Sequence, residues 1–224
     1  MPNKDNPLYN ENAGITPLPC DNREIDAALR AAARCYEANP YFMARYAERG
    51  EAFSRSDGGY MVTLTSHPLA YVIQQIKWLG VLLASRGMPR WLLESHLDLL
   101  YDELSATIPK RRVKYRKLLK AAEVLREARH DWISQPDFET LAAAFAANSG
   151  NGLANAGEML VSAVCDEFCG IAKAVPSLVT WLGDPGRFPA QWCTSVEDTL
   201  TCARAVAARN GYNHAKIEVS IGAA

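Results

Sequence analysis

Residues 68–109, PLAYVIQQIKWLGVLLASRGMPRWLLESHLDLLYDELSATIP, decide the class of this fold. After His67-Pro68, apolar residues recur at Tyr71, Val72, Ile76, Leu79, Leu82 and Leu83, the spacing of one helix face, and Gly87 closes the run. Pro89 opens a second run through Leu92, Leu93, Leu97, Leu99, Leu100 and Leu104, which Pro109 ends. Gly87 is the position for a left-handed residue just past a helix end. Neither run alternates with period two, so both are helices.

The same punctuation extends outward. Asp21 or Asn22 caps a helix starting near Arg23, Pro40 sits in the first turn of the next, and Asp57 opens a third containing Met61 and Leu64. Residues 110–134 read as a further helix with Leu118, Leu119, Ala122 and Leu125 inward. The first alternating apolar residues are Ile217, Val219 and Ile221. The expected fold is therefore all-α, roughly 9–11 helices in one bundle-like or globin-like assembly.

An ordered set of echoes divides the chain. Pro40 and Phe42 return as Pro136 and Phe138, Asp57-Gly58-Gly59 as Asn155-Ala156-Gly157, Trp78-Leu79-Gly80 as Trp181-Leu182-Gly183, and Pro89-Arg90-Trp91 as Pro189-Ala190-Gln191-Trp192. The echoes predict two pseudo-repeated halves, 22–109 and 135–211, joined by a basic helix over 110–134. Residues 1–21 are expected to be a flexible tail and 212–224 a C-terminal tail. Paired tryptophans should align and be mostly buried.

Composition bounds the function. Alanine fills 34 positions and leucine 23 of 224, which suits helices with a core. The net charge of −1 provides no global field for nucleic acid. No apolar run is long enough to span a membrane, and MPNKDNPLYN is too polar for a signal peptide. Six cysteines without a CxxC read as structural thiols of a cytoplasmic protein.

Several residues could carry chemistry. His96 and Glu103 share one side of the Pro89 helix among apolar neighbours, where polar groups need partners. Glu94, Asp98 and Asp102 lie opposite and read as a solvated acidic face. His67, at a helix start, has the ring chemistry of a haem ligand or a cap, while His130 and His214 carry less information. The segment KRRVKYRKLLK, residues 110–120, presents Lys110, Arg111, Arg112, Lys114, Arg116 and Lys117 as a basic face for an acidic partner. No phosphate loop and no nucleophile elbow occurs, and Asp166-Glu167 cannot share one helix face.

Arg45-Tyr46-Ala47-Glu48-Arg49-Gly50, Ser56-Asp57, Trp78-Leu79, Leu82-Leu83, Arg86-Gly87-Met88-Pro89, Leu93 and Leu97 together resemble a helical module of bacterial sensory proteins. That module often precedes a cobalamin-binding or output domain. The cobalamin loop, Asp-x-His-x-x-Gly, does not occur in this chain. The resemblance implies a regulatory helical module, here present in two copies. Three classes follow. The first is a non-enzymatic sensory or adaptor protein contacting a protein partner or a second copy. The second is a carrier of haem, a tetrapyrrole or another apolar small molecule, held near Trp78, Trp91, Trp181, Trp192, His67 and His96. The third is a helical enzyme with a dispersed site. No particular cofactor is implied.

Overall fold

The computed structural model describes residues 4–14, 16–150 and 152–222, with side chains as far as Gly211. It is all-helical, with nine α-helices and no strand among the described residues. They are α1 (Asn22–Ala38), α2 (Pro40–Leu64), α3 (Leu69–Ala84), α4 (Arg90–Thr107), α5 (Arg112–His130), α6 (Gln135–Asn148), α7 (Ala156–Phe168), α8 (Ala174–Leu182) and α9 (Ala190–Gly222). Two compact units emerge, one of Met1–Leu79 with Leu93–Val124, the other of Gly80–Leu92 with Leu125–Ala224. This partition crosses the chain order on which the halves 22–109 and 135–211 are drawn.

In the first unit the local signals act as expected at α1 and α2. Asp21 accepts a hydrogen bond from the Arg23 N–H, and Pro40 occupies the first turn. Asp57 does not open a helix. α2 runs through Gly58 and Gly59, whose missing side chains admit neighbours: a Cβ on Gly59 would lie 2.9 Å from Leu18 Cδ2 and 3.0 Å from Leu8 Cδ1. Gly59 serves close approach rather than a turn. The break in α2 falls instead at Ala47, with φ 49° and ψ −148°.

The N-terminal segment is packed, contrary to the expected tail. Leu8 is fully buried, the Asn6 amide donates to the Pro19 carbonyl (2.9 Å), and a 3-10 turn spans Glu11–Ala13. Met1, Pro2, Asn3 and Ile15 of that segment lie outside the described residues. The core of this unit contains Ile25, Ala28, Val62, Val72, Ile76, Leu97, Leu100, Leu104 and Leu118, all essentially buried. Burying one such branched side chain contributes about 1.5–3 kcal/mol.

The second unit is organised around α7, buried on nearly every face from Ala156 to Asp166. Gly157 lets α6 approach, since a Cβ there would lie 2.6 Å from the Ala142 carbonyl oxygen. Ser134 caps α6 by accepting from the Asp137 N–H. Gly87 is left-handed at φ 85°, as expected, and closes α3 by paired bonds: Met88 N–H to the Leu83 carbonyl and Gly87 N–H to that of Ala84. Gly170, at φ 91°, closes α7 the same way, with Ile171 N–H bonding Asp166 O and Gly170 N–H bonding Glu167 O. Ala84, Ile171 and Ala174 pack together at these corners, and the Ser177 hydroxyl donates to the Ser85 carbonyl (2.8 Å).

Two further boundaries differ from the sequence reading. The basic segment begins as a 3-10 turn, Pro109–Arg111, before α5, which ends at His130 rather than 134. α9 continues to Gly222, so the alternation at Ile217, Val219 and Ile221 lies on a helix rather than in a tail. The side chains of these three residues and of His214, together with Ala223 and Ala224, lie outside the described residues.

Candidate functional site

Of the residues singled out from sequence, His96 has the most unusual surroundings. It is 7% exposed, and its Nε2 has no hydrogen-bond partner among the described residues. A Cβ on Gly58 would lie 3.6 Å from that nitrogen and 3.9 Å from Ala28. Removal from water disfavours the imidazolium, so burial lowers the His96 pKa to about 4 and holds the ring neutral.

Glu103 does not pair with His96. Its carboxylate accepts from Arg30 Nε (2.7 Å) and Arg34 Nη1 (2.8 Å) of α1. Burial pushes the Glu103 carboxyl up, but the two guanidinium bonds outweigh it and hold it below its ordinary range. Periodicity places both side chains on one arc, yet only the position of α1 decides which of them meets arginines. The acidic row is corrected too. Glu94 is buried while Asp102 is exposed, because the opposite side of α4 is covered over part of its length.

The basic segment is largely engaged within its own unit. Glu24, itself buried, accepts from Tyr115 Oη (2.7 Å), Arg111 Nη1 (3.1 Å) and Lys114 Nζ (3.2 Å). Arg111 also reaches Asp21 (2.9 Å), and Arg112 Nε donates to Tyr101 Oη (2.8 Å). Lys117 donates to the carbonyls of Thr65 (2.9 Å) and His67 (2.6 Å), capping the end of α2. Lys110 and Arg116 are exposed, as is Val113 between them. Four of the six cations are thus committed to internal contacts.

The four candidate tryptophans differ in their surroundings. Trp192 is 1% exposed, donates Nε1–H to the Leu182 carbonyl (2.7 Å), stacks on Phe188 and meets Phe145 edge-on. Its ring also lies against Gly152, where a Cβ would fall 1.9 Å away. Trp181 is half-buried, with the Arg187 guanidinium over its ring (5.7 Å). Trp91 is half-buried and its backbone N–H donates to Ser162 Oγ (3.2 Å). Trp78, expected to be buried, is 57% exposed. Its neighbours Val72, Ile76 and Leu79 face the core, which turns position 78 outward.

That outward face is the clearest surface feature of the first unit. His67, Tyr71, Gln74 and Trp78 are exposed and spaced four, three and four residues apart, the seam spacing of packed helices. Tyr71 is 42% exposed and meets the His67 ring at 4.9 Å. Two large aromatic rings in water on one helical stripe form a concentrated apolar patch.

Two sites escaped sequence reasoning. In the second unit Ser162 and Asp166, one turn apart on α7, cap α4 from outside. Asp166 Oδ2 accepts from the Arg90 N–H (3.0 Å), and Oδ1 accepts from Arg90 Nε (2.5 Å). Burial opposes the Arg90 charge, but Asp166 overcompensates and keeps the guanidinium protonated. Glu167 instead turns to solvent and pairs with Arg204 (2.8 Å). The second is the bend of α2, where Tyr36 stacks on Phe42 and Arg45 lies over Tyr41 and Tyr46. Burial pushes all three phenols upward. A non-glycine residue in the conformation of Ala47 stores about 1–3 kcal/mol of strain.

The cysteines are free, and burial pushes the Cys35 thiol up to about 12 and Cys165 higher still, so both act as small apolar groups. Among the described residues no group of three or more His, Cys, Asp and Glu side chains gathers as a metal site. Among the described residues no helix is long and apolar enough to cross a membrane. No protein-family model matches this chain, and no curated protein or solved structure is significantly similar to it.

Proposed function

We propose that this chain is a non-enzymatic helical sensory or adaptor protein that works through protein–protein contacts, with the outer face of α3 as its docking surface. The observation that carries this reading is Trp78, exposed on the same stripe as Tyr71. A partner helix laying apolar side chains along that stripe would bury both rings, and buried aromatic residues dominate contact energies. The resemblance to sensory modules belongs to the same reading. So does the duplication, supported by Gly59 and Gly157, which echo in sequence and both admit a close neighbour.

A photo-crosslinking amino acid at position 78 tests the proposal in the expressing cell, with the same label at exposed Lys110 as control. Crosslinks to one protein, or to a second copy, are expected at 78 and not at 110. Trp78→Glu should abolish that complex while changing stability by no more than about 0.5 kcal/mol. Loss of several kcal/mol, or no crosslink specific to 78, would remove the reading.

The unpartnered His96 Nε2 favours a second reading, the carrier of haem, a tetrapyrrole or another apolar molecule. An absorbance scan of protein purified from the expressing cell decides it. A visible band that His96→Leu abolishes would replace the adaptor reading.

A further inference from the structure

We propose that the Arg45–Gly50 corner is a two-state switch, in which α2 alternates between its bent form and a straight helix running through Ala47. Ala47 sits at φ 49° and ψ −148°, a conformation that alanine resists and a regular helix would relieve. The bend is held by contacts from outside the local backbone. Tyr36 of α1 stacks on Phe42 at 5.1 Å, Tyr41 meets Tyr46 edge-on at 5.9 Å, and the Arg45 guanidinium lies over both tyrosine rings while bonding Tyr41 Oη. Gly50 allows that clasp to close, because a Cβ there would lie 2.5 Å from both Tyr36 Oη and Tyr46 Cβ.

Strain at Ala47 works against the bend and the clasp works for it. Packed corners of this kind have two discrete arrangements rather than a continuum, so a partner or ligand that loosens the clasp shifts the population. Tyr41, fully buried in the bent form, is the side chain such a release would uncover. The proposal does not rest on the α3 docking surface.

Ala47→Gly and Gly50→Ala carry opposite predicted signs that invert ordinary helix propensity, and Arg45→Ala tests the clasp directly. Ala47→Gly should lock the bend and raise Tm by about 2–4 °C, although glycine inside a regular helix lowers stability. Gly50→Ala and Arg45→Ala should open the clasp. The distance between spin labels carried on p-acetylphenylalanine at Met43 and Thr63 reads the state of the full chain, and this chemistry leaves the native cysteines untouched. A straight helix separates positions twenty residues apart by about 30 Å. That population should grow in Gly50→Ala and Arg45→Ala and vanish in Ala47→Gly. A lowered Tm for Ala47→Gly overturns the proposal. So does an unchanged distance distribution in Arg45→Ala, whose half-buried side chain leaves a folded protein to measure even where Gly50→Ala unfolds.

Discussion

Arg90 and His96 both bury a titratable side chain, and they do so by opposite means. In the second unit the Arg90 guanidinium keeps its charge because a buried carboxylate, Asp166, lies on its Nε and on the helix-terminal N–H. In the first unit His96 has no partner at Nε2 and gives up its charge instead. The difference teaches what each neighbourhood can supply. α7 offers a carboxylate and a hydroxyl one turn apart, whereas His96 Nε2 lies beside Gly58, which has no side chain to offer a donor or acceptor. A paired charge tolerates burial, and an isolated base becomes neutral.

Breaking the paired member gives the largest expected effect. Asp166→Ala strands a guanidinium in the interior and uncaps α4, so chemical denaturation should show a loss of about 3–5 kcal/mol. Asp166→Asn, which retains an acceptor, should lose less. A loss below 1 kcal/mol would mean that Arg90 finds water on its own, and the contrast with His96 would dissolve.

The isolated member is tested by pH. The folded His96 pKa lies below its ordinary 6.5, at about 4, so only the unfolded chain takes up that proton between those values. Its contribution is fully present above pH 6.5 and is lost as the pH falls toward 4. The cost is about 1.4 kcal/mol per pH unit, about 3 kcal/mol in all. Subtracting the pH–stability curve of His96→Leu from that of the wild type should isolate this slope. Parallel curves would show that the ring is protonated inside the fold.

Glu24 gives an intermediate case, a buried carboxylate whose cations are partly exposed. Arg111→Gln with Lys114→Gln should lower Tm measurably but far less than Asp166→Ala, since screening weakens pairs that reach water. Lys110→Gln with Arg116→Gln should change stability by less than about 0.5 kcal/mol by thermal melting. Equal effects from the two pairs would make the basic segment a uniformly solvated face.

Signals confined to one helical turn were legible in the sequence. Asp21 caps α1, Pro40 starts α2, Pro89 precedes α4 and Gly87 takes the left-handed end of α3, because a cap or a fixed φ depends only on adjacent backbone. The all-α class followed from the same local chemistry repeated along the chain. Which side of each helix is covered did not. Trp78 faces water and Glu94 does not, Glu103 meets arginines while His96 meets a glycine, and Asp166 caps a helix 76 residues earlier in the chain. Gly59 lies within a helix where Leu8 and Leu18 pack against its missing side chain, while Ala47 bends where an aromatic clasp holds it. Each of these outcomes depends on residues distant in the chain and adjacent in space, so only the tertiary structure could decide them.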